Sequence, residues 1–362
     1  MRITEVYKGI YPRTMGGIER YIHDAAVYLR SRGHAVDVLL AGSRPGTRHF
    51  EVDDVPVTES PGICTVLSNP ISPGLGWLMR RSNAELFHFH VPLPSAVLSW
   101  MTWRPGRKYV VTYHSDIVRQ KAALWLYGPL LRLFLKGADT VLATSENYRK
   151  SSPYLSGLTN VEILPLGVDT ERFSPGEGGE VGTGDYYLFV GRFREYKGIP
   201  LLLDAWKKLA DRKLIMVGGG RMRSYIRKRI ERERLPVSLR GDVSDDQLVE
   251  LYRGARALLL PSTMRSEAFG MVLTEAMACG TPVIASNLPT GVSWVCRDGE
   301  SGLSVPIGDV EALVMAVRKL DDPELRRKLS LGARNRVLAE LDSRVVFERL
   351  EEVCLRTRDD SA

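Results

Sequence analysis

The feature that most constrains this chain is a strand-like run followed by a helix-like run, repeated along its length and interrupted once. RITEVY (2–7) reads as a short buried strand. IERYIHDAAVYLRSR (18–32) reads as a helix that Gly33 ends, and HAVDVLLA (34–41) as the next strand. ELFHFHV (85–91), KYVVTYH (108–114) and DTVLATS (139–145) continue the series. The interruption is 169–185, where five of the nine residues from Gly176 to Gly184 are glycine and no apolar period survives. A second series follows with YYLFVGR (186–192), LLLDAWKKLA (201–210), KLIMVGG (213–219), a basic helix over 221–234, ARALLLPS (255–262), a helix over 270–279 and TPVIAS (281–286). The segment 309–358 reads as mostly helical. Alternation of this kind predicts α/β architecture, with parallel sheets covered by helices on both faces. Two such units leave a cleft at the carboxyl ends of their strands, where ligands of open α/β sheets bind.

Composition narrows the class. The chain has 362 residues, with 44% hydrophobic and 26% charged, which excludes a disordered or fibrous chain. No apolar run approaches the roughly 18 residues of a membrane span. MRITEVYKGIYP carries no long apolar leader. Cys64, Cys279, Cys296 and Cys354 are scattered, without a C-x-x-C pair, so the expectation is a reducing cytoplasm. The net charge of +7 is concentrated. Residues 60–138 hold nine basic side chains against two acidic ones, together with Trp77, Trp100, Trp103 and Trp125. Cations beside tryptophans suit an anionic membrane surface; the alternative is a solvated basic face over core tryptophans. No helix-turn-helix, RRM or finger signature points to nucleic acid.

Three places could carry chemistry. Gly16-Gly17 lies between the first strand and its helix, where backbone N–H groups can meet an anion; the alternative is a plain turn. It is not the G-x-G-x-x-G fingerprint, and no acid ends the second strand to hold a ribose, which disfavours a nicotinamide cofactor. Arg192 and Lys197 follow a strand end and could grip a diphosphate without a metal. Glu267 and Glu275 border the start of a helix at Gly270, whose dipole favours an anion at the N–H groups of Phe269 to Val272. Carboxylates there could accept hydrogen bonds from sugar hydroxyls. His88 and His90 share one face of a strand, open to zinc ligation or to packing, with no third ligand nearby in sequence. Asp116 could cap the helix expected over 117–137, whose apolar face is core or a membrane-docking element.

In chain order, the Gly16-Gly17 loop, HFHVPLP (88–94), TYHSD (112–116), LPLGVDTERFSP (164–175), VGRFREYKG (190–198), VGGG (217–220), the E-x7-E segment 267–275 and EAMACGTPVIAS (275–286) resemble the retaining glycosyltransferases of family 4. The resemblance implies the GT-B fold, two Rossmann-like domains facing across an interdomain cleft. On it, 1–168 is the acceptor-binding domain, 169–185 a linker and 186–341 the nucleotide-sugar domain, with a helix at 342–362 crossing back to the first. It implies that Arg192 and Lys197 bind the donor diphosphate, Glu267 the transferred sugar and Glu275 the nucleotide ribose. Backbone amides of Phe269, Gly270, Met271 and Val272 would touch sugar and phosphate, Val243 the base, and Gly16 and Gly17 the donor. His114 would face the reacting sugar. Catalysis would fall to His114, Glu267, Arg192 and Lys197.

LPTGVSWV (288–295) departs from the family by lacking its usual acid there. TYHSDIVRQK (112–121) is similar to bacterial surface-polysaccharide mannosyltransferases. The function expected is transfer, with retention, from a nucleotide-sugar, GDP-mannose first, to a glycan or lipid-linked acceptor. UDP-dependent glucosyl-, N-acetylglucosaminyl- or rhamnosyl-type transfer is the alternative, and a nucleotide-sugar 2-epimerase stands behind it. No cofactor and no metal are expected, since no D-x-D ends a strand. The setting expected is cytoplasmic, peripheral on the inner face of the cell membrane.

Overall fold

The computed structural model describes residues 1–116, 121–176 and 184–359, and leaves the side chains of 121–124 and 126 undescribed. The chain divides into two compact units, one of Met1–Pro165 with the chain from Val346 onward, the other of Leu166–Val345.

The first unit holds β1 (Arg2–Tyr7), β2 (Ala35–Leu40), β3 (Arg48–Val52), β4 (Val55–Glu59), β5 (Cys64–Val66), β6 (Asn69–Ile71), β7 (Leu86–Val91), β8 (Lys108–Tyr113), β9 (Thr140–Ala143) and β10 (Val161–Ile163). Eight form one sheet in the order β10-β9-β8-β7-β1-β2-β4-β3, parallel except for the β3–β4 hairpin. All six residues of β7 are buried, as a strand covered on both faces requires. The helix Gly17–Ser31 lays Tyr21, Ile22, Ala25, Ala26 and Leu29 on the core at helical spacing. The sequence reading passed over 48–81, where a two-stranded edge, the β5–β6 hairpin and the helix Gly74–Arg81 sit. From Val346 the final helix, Ser343–Asp359, packs in this unit, with Phe347 against Tyr21 and Tyr28.

The second unit holds β11 (Tyr186–Val190), β12 (Lys213–Val217), β13 (Val237–Leu239), β14 (Leu258–Leu260), β15 (Val283–Ser286) and β16 (Gly302–Val305), all parallel, in the order β13-β12-β11-β14-β15-β16. Its core gathers Tyr187, Phe189, Phe193, Trp206 and Met216. Strand order reverses between β11 and β14, so the loops leaving their carboxyl ends flank the topological switch point. Those loops begin at Gly191 and Pro261.

Residues 169–176 pack within the second unit: Phe173 is buried, Thr170 hydrogen-bonds Asp342, and Arg253 Nε donates to the Ser174 carbonyl at 2.7 Å. The apolar Phe173 anchors a stretch whose polarity suggested looseness. Residues 177–183 of that stretch and the start of the helix expected over 117–137 lie outside the described residues; Asp116 itself is described and accepts hydrogen bonds from the Tyr113 and Ser152 hydroxyls.

Candidate active site

The loop after β11 closes in a tight turn, Glu195–Lys197, that Gly198 ends at φ 71°. A side chain there would strike the carbonyl of Pro261 at the end of β14, so only glycine lets the two loops meet. The meeting brings Lys197 Nζ to 2.6 Å from Glu267 Oε2. Both are buried, and Ser262 Oγ donates to the same oxygen at 2.9 Å. Burial disfavours the Lys197 ammonium, but the Glu267 carboxylate reverses the effect and raises its pKa. Arg192, on the same loop, is exposed.

Glu267 leads into the helix Met271–Ala278, whose N-cap is Gly270, so no side chain caps its first turn. Met271 and Val272 are half-buried, and Phe269 is buried with its ring 6.3 Å from Trp294. About one turn on, Glu275 accepts a 2.6 Å hydrogen bond from the Tyr252 hydroxyl. Burial and the Glu275 charge hold that hydroxyl protonated, its pKa well above the usual value. Tyr252 and Ser262 escaped the sequence reading; neither stands in a motif, and only the packing of Asp245–Gly254 and β14 beside the glutamates brings them in.

Val243 lines a cavity of about 970 Å³ beside the helix Asp245–Gly254, with Tyr186, Arg240 and Arg253.

In the first unit, Gly16 and Gly17 are exposed at the start of the helix Gly17–Ser31. The carboxylate of Glu19, in the first turn, stands where a Gly16 side chain would be. His114, the residue after β8, is buried beside His90 and between Tyr7 and Tyr21. Parallel register sets Glu5 of β1 opposite His88 of β7. Glu5 lies 2.7 Å from His90 Nε2 and 2.9 Å from His88 Nδ1. Three groups of metal-ligating type thus meet, where the sequence showed only two, yet these are hydrogen-bond lengths. Thr112 Oγ1 meets His88 Nε2 at 2.7 Å, and His90 Nδ1 meets His114 Nε2 at 2.9 Å.

Burial works against a charge on Glu5, but the two histidines outweigh it and hold the carboxyl down from 4.5 to about 2. Burial pushes His90 down to about 4 and His114 well below its usual value. In the unfolded chain these groups regain ordinary pKa values. Between about pH 6.5 and 4 the unfolded chain then binds protons that folded His90 and His114 refuse, and below about 4.5 Glu5 adds to the loss. His23, its pKa raised foremost by Asp24, acts oppositely, but above about pH 4.5 it is one histidine against two. The melting temperature should hold from pH 8 to 7 and fall steadily from about pH 6.5 downward; a protein more stable at about pH 5 than at 7 would contradict this balance.

Two family models tile the chain, one described as Glycosyltransferase Family 4 over residues 15–172 and one as Glycosyl transferases group 1 over 171–336. The O-antigen chain mannosyltransferase C of Escherichia coli is 33% identical, covering 88% of each chain. D-rhamnosyltransferase WbpZ of Pseudomonas aeruginosa is 31% identical, covering 93% of this chain and 91% of its own. The phosphatidyl-myo-inositol mannosyltransferase of Mycobacterium tuberculosis is 30% identical, covering 93% and 92%. Among solved structures, sucrose-phosphate synthase of Thermosynechococcus elongatus superposes with TM-score 0.82 at 21% identity over the whole of both chains. Anabaena HepE in complex with UDP gives 0.80 at 18%, covering 98% and 100%. These likenesses carry the GT-B fold of two Rossmann-like domains. The chain belongs to glycosyltransferase family 4 and resembles the bacterial mannosyltransferases that build surface polysaccharides.

Proposed function

We propose that this glycosyltransferase moves mannose from GDP-mannose, with retention and without a metal, to a glycan or lipid-linked acceptor of a surface polysaccharide. The observation that carries the chemistry is the buried Lys197–Glu267 pair beside the uncapped start of the helix Met271–Ala278. The choice of sugar is supported by the two mannosyltransferase relatives.

In the proposed reaction the bond between the anomeric carbon and the diphosphate oxygen breaks through an oxocarbenium-like state. Negative charge grows on the departing nucleotide. Lys197, Arg192 and the amides of Gly270, Met271 and Val272 meet that charge already oriented, so little reorganisation is spent at the moment of reaction. Fixed cations supply what a divalent ion would. Among the described residues both side-chain contacts of Glu267 fall on Oε2, which leaves Oε1 to accept from a sugar hydroxyl. Glu275, oriented by Tyr252, takes the ribose hydroxyls. His114 meets a hydroxyl of the sugar. The acceptor oxygen forms its bond on the face the nucleotide leaves, and a diphosphate oxygen takes its proton, so no protein nucleophile is needed.

The rhamnosyltransferase relative favours one alternative, transfer of a 6-deoxyhexose. Thermal-shift titrations with GDP, UDP, ADP and dTDP and their sugars, in excess EDTA, decide among the donors. A ligand at about 100 times its Kd stabilises the native state by ~2.7 kcal/mol. GDP and GDP-mannose should raise the melting temperature with EDTA present; a response to UDP alone, or one that needs a divalent ion, contradicts the reading.

The proposed setting is the cytoplasmic face of the cell membrane. No helix among the described residues is long and apolar enough to cross a membrane. The first unit instead exposes Ile63, Val66 and Leu67 around the β5–β6 hairpin, and Trp77, Trp103 and Trp125 beyond it. The Arg81 guanidinium lies 4.3 Å from the Trp77 ring, and Arg80, Arg104 and Arg107 are exposed too. Such a face suits anionic headgroups. The protein should float with anionic liposomes at low salt and not with neutral ones; sedimentation with both contradicts membrane docking.

A further inference from the structure

With Glu5 ionised and His90 and His114 neutral, the hydrogen bonds that run from Glu5 to His114 admit one arrangement of protons. An ionised carboxylate only accepts, so the ring nitrogens that face Glu5, His88 Nδ1 at 3.1 Å from Oε1 and 2.9 Å from Oε2 and His90 Nε2 at 2.7 Å from Oε2, both carry hydrogen. A neutral imidazole with one nitrogen donating must accept at the other. His90 Nδ1 therefore accepts from His114 Nε2–H. His114 is then left with an unprotonated Nδ1, a buried atom that has no hydrogen-bond partner among the described residues. Buried polar atoms without partners are rare in native proteins, and this one ends a chain whose other atoms are all satisfied.

We propose that Glu5, acting through His90, fixes His114 in the tautomer that presents Nδ1 as a hydrogen-bond acceptor for a hydroxyl of the glycosyl donor. Glu5 and His90 are positioning residues; neither touches the sugar. The device keeps His114 neutral in a buried site, where burial and the neighbouring imidazoles oppose its protonation. It also sets a preference, since an acceptor at this point selects a sugar bearing a hydroxyl and rejects one whose group there can only accept. The catalytic half of the proposal rests on the reading of His114 as a sugar contact. The tautomer half does not.

The test uses the full chain labelled with 15N-histidine. Long-range 1H–15N spectra at neutral pH, without ligand, report which ring nitrogen of His114 bears the proton, assigned by its loss in His114→Asn. The expected result is a protonated Nε2 and a bare Nδ1. In Glu5→Gln the new amide can donate to His90 Nε2, which drives the His90 proton to Nδ1 and inverts His114 to the Nδ1–H form. That variant should lose about 10²-fold in kcat with KM for the donor changed less than about threefold. A wild-type His114 protonated at Nδ1 overturns the relay, and needs no variant to fold. An inverted tautomer in Glu5→Gln with undiminished kcat leaves the relay standing but overturns the contact between His114 and the sugar.

Discussion

Replacing Lys197 with methionine should lower turnover about 10²–10³-fold, the loss that follows removal of one oriented group facing developing negative charge. The same change leaves the Glu267 carboxylate buried without its cation. Breaking one partner of a buried pair costs about 3–5 kcal/mol, which for a unit of this size is a fall of roughly 10 °C in melting temperature. Stability and catalysis can be separated. The double variant Lys197→Met, Glu267→Gln removes both charges, and the amide can still accept from Ser262 Oγ. It should recover most of the melting temperature and none of the turnover. If the double variant regained activity along with stability, Lys197 would be a structural cation only. Near-normal turnover in the single variant would remove it from the diphosphate site altogether.

Gly198→Ala should be the most damaging single methyl in the second unit. The backbone there is left-handed at φ 71°, which costs a residue with a Cβ about 1–2 kcal/mol. The new carbon would also press into the carbonyl group of Pro261, whose carbon stands 2.8 Å away. Neither loop can retreat, because Ile199 begins a helix buried at Leu202, Leu203 and Trp206, and Pro261 directly follows the buried strand β14. The sum is about 4 kcal/mol or more, read as a shift in the urea midpoint with unchanged slope. Gly241→Ala is the control, since nothing lies within 4 Å of its added carbon; it should stay within about 0.5 kcal/mol. Equal effects at the two positions would mean that the approach of the loops is not what makes glycine necessary at 198.

What could be read from residue order, and what could not, divides along physical lines. β1, β7, β8 and β11 are short apolar runs between turn residues, and the helix Gly17–Ser31 has a clear apolar stripe, so local pattern suffices for them. β3 and β4 were missed because RHFEV and VPVTE mix charge into a half-exposed edge hairpin, where burial no longer enforces a pattern. Lys197 and Glu267 stand in recognisable strings, but their direct contact depends on strand order, β11 beside β14, which no local signal encodes. Glu5 stands in no motif, inside the strand-like run RITEVY. Its 83-residue separation from His88 vanishes only when β1 pairs with β7 in parallel register. The Tyr252–Glu275 bond depends likewise on how two helices pack.

A crystal structure of the protein with GDP bound is the most direct measurement of the central claim. Its β-phosphate oxygens should lie within hydrogen-bond reach of Lys197 Nζ, the Arg192 guanidinium and the amides at the start of the helix Met271–Ala278, with the ribose on Glu275. Density for the diphosphate out of reach of Lys197 and of that helix end would contradict the account.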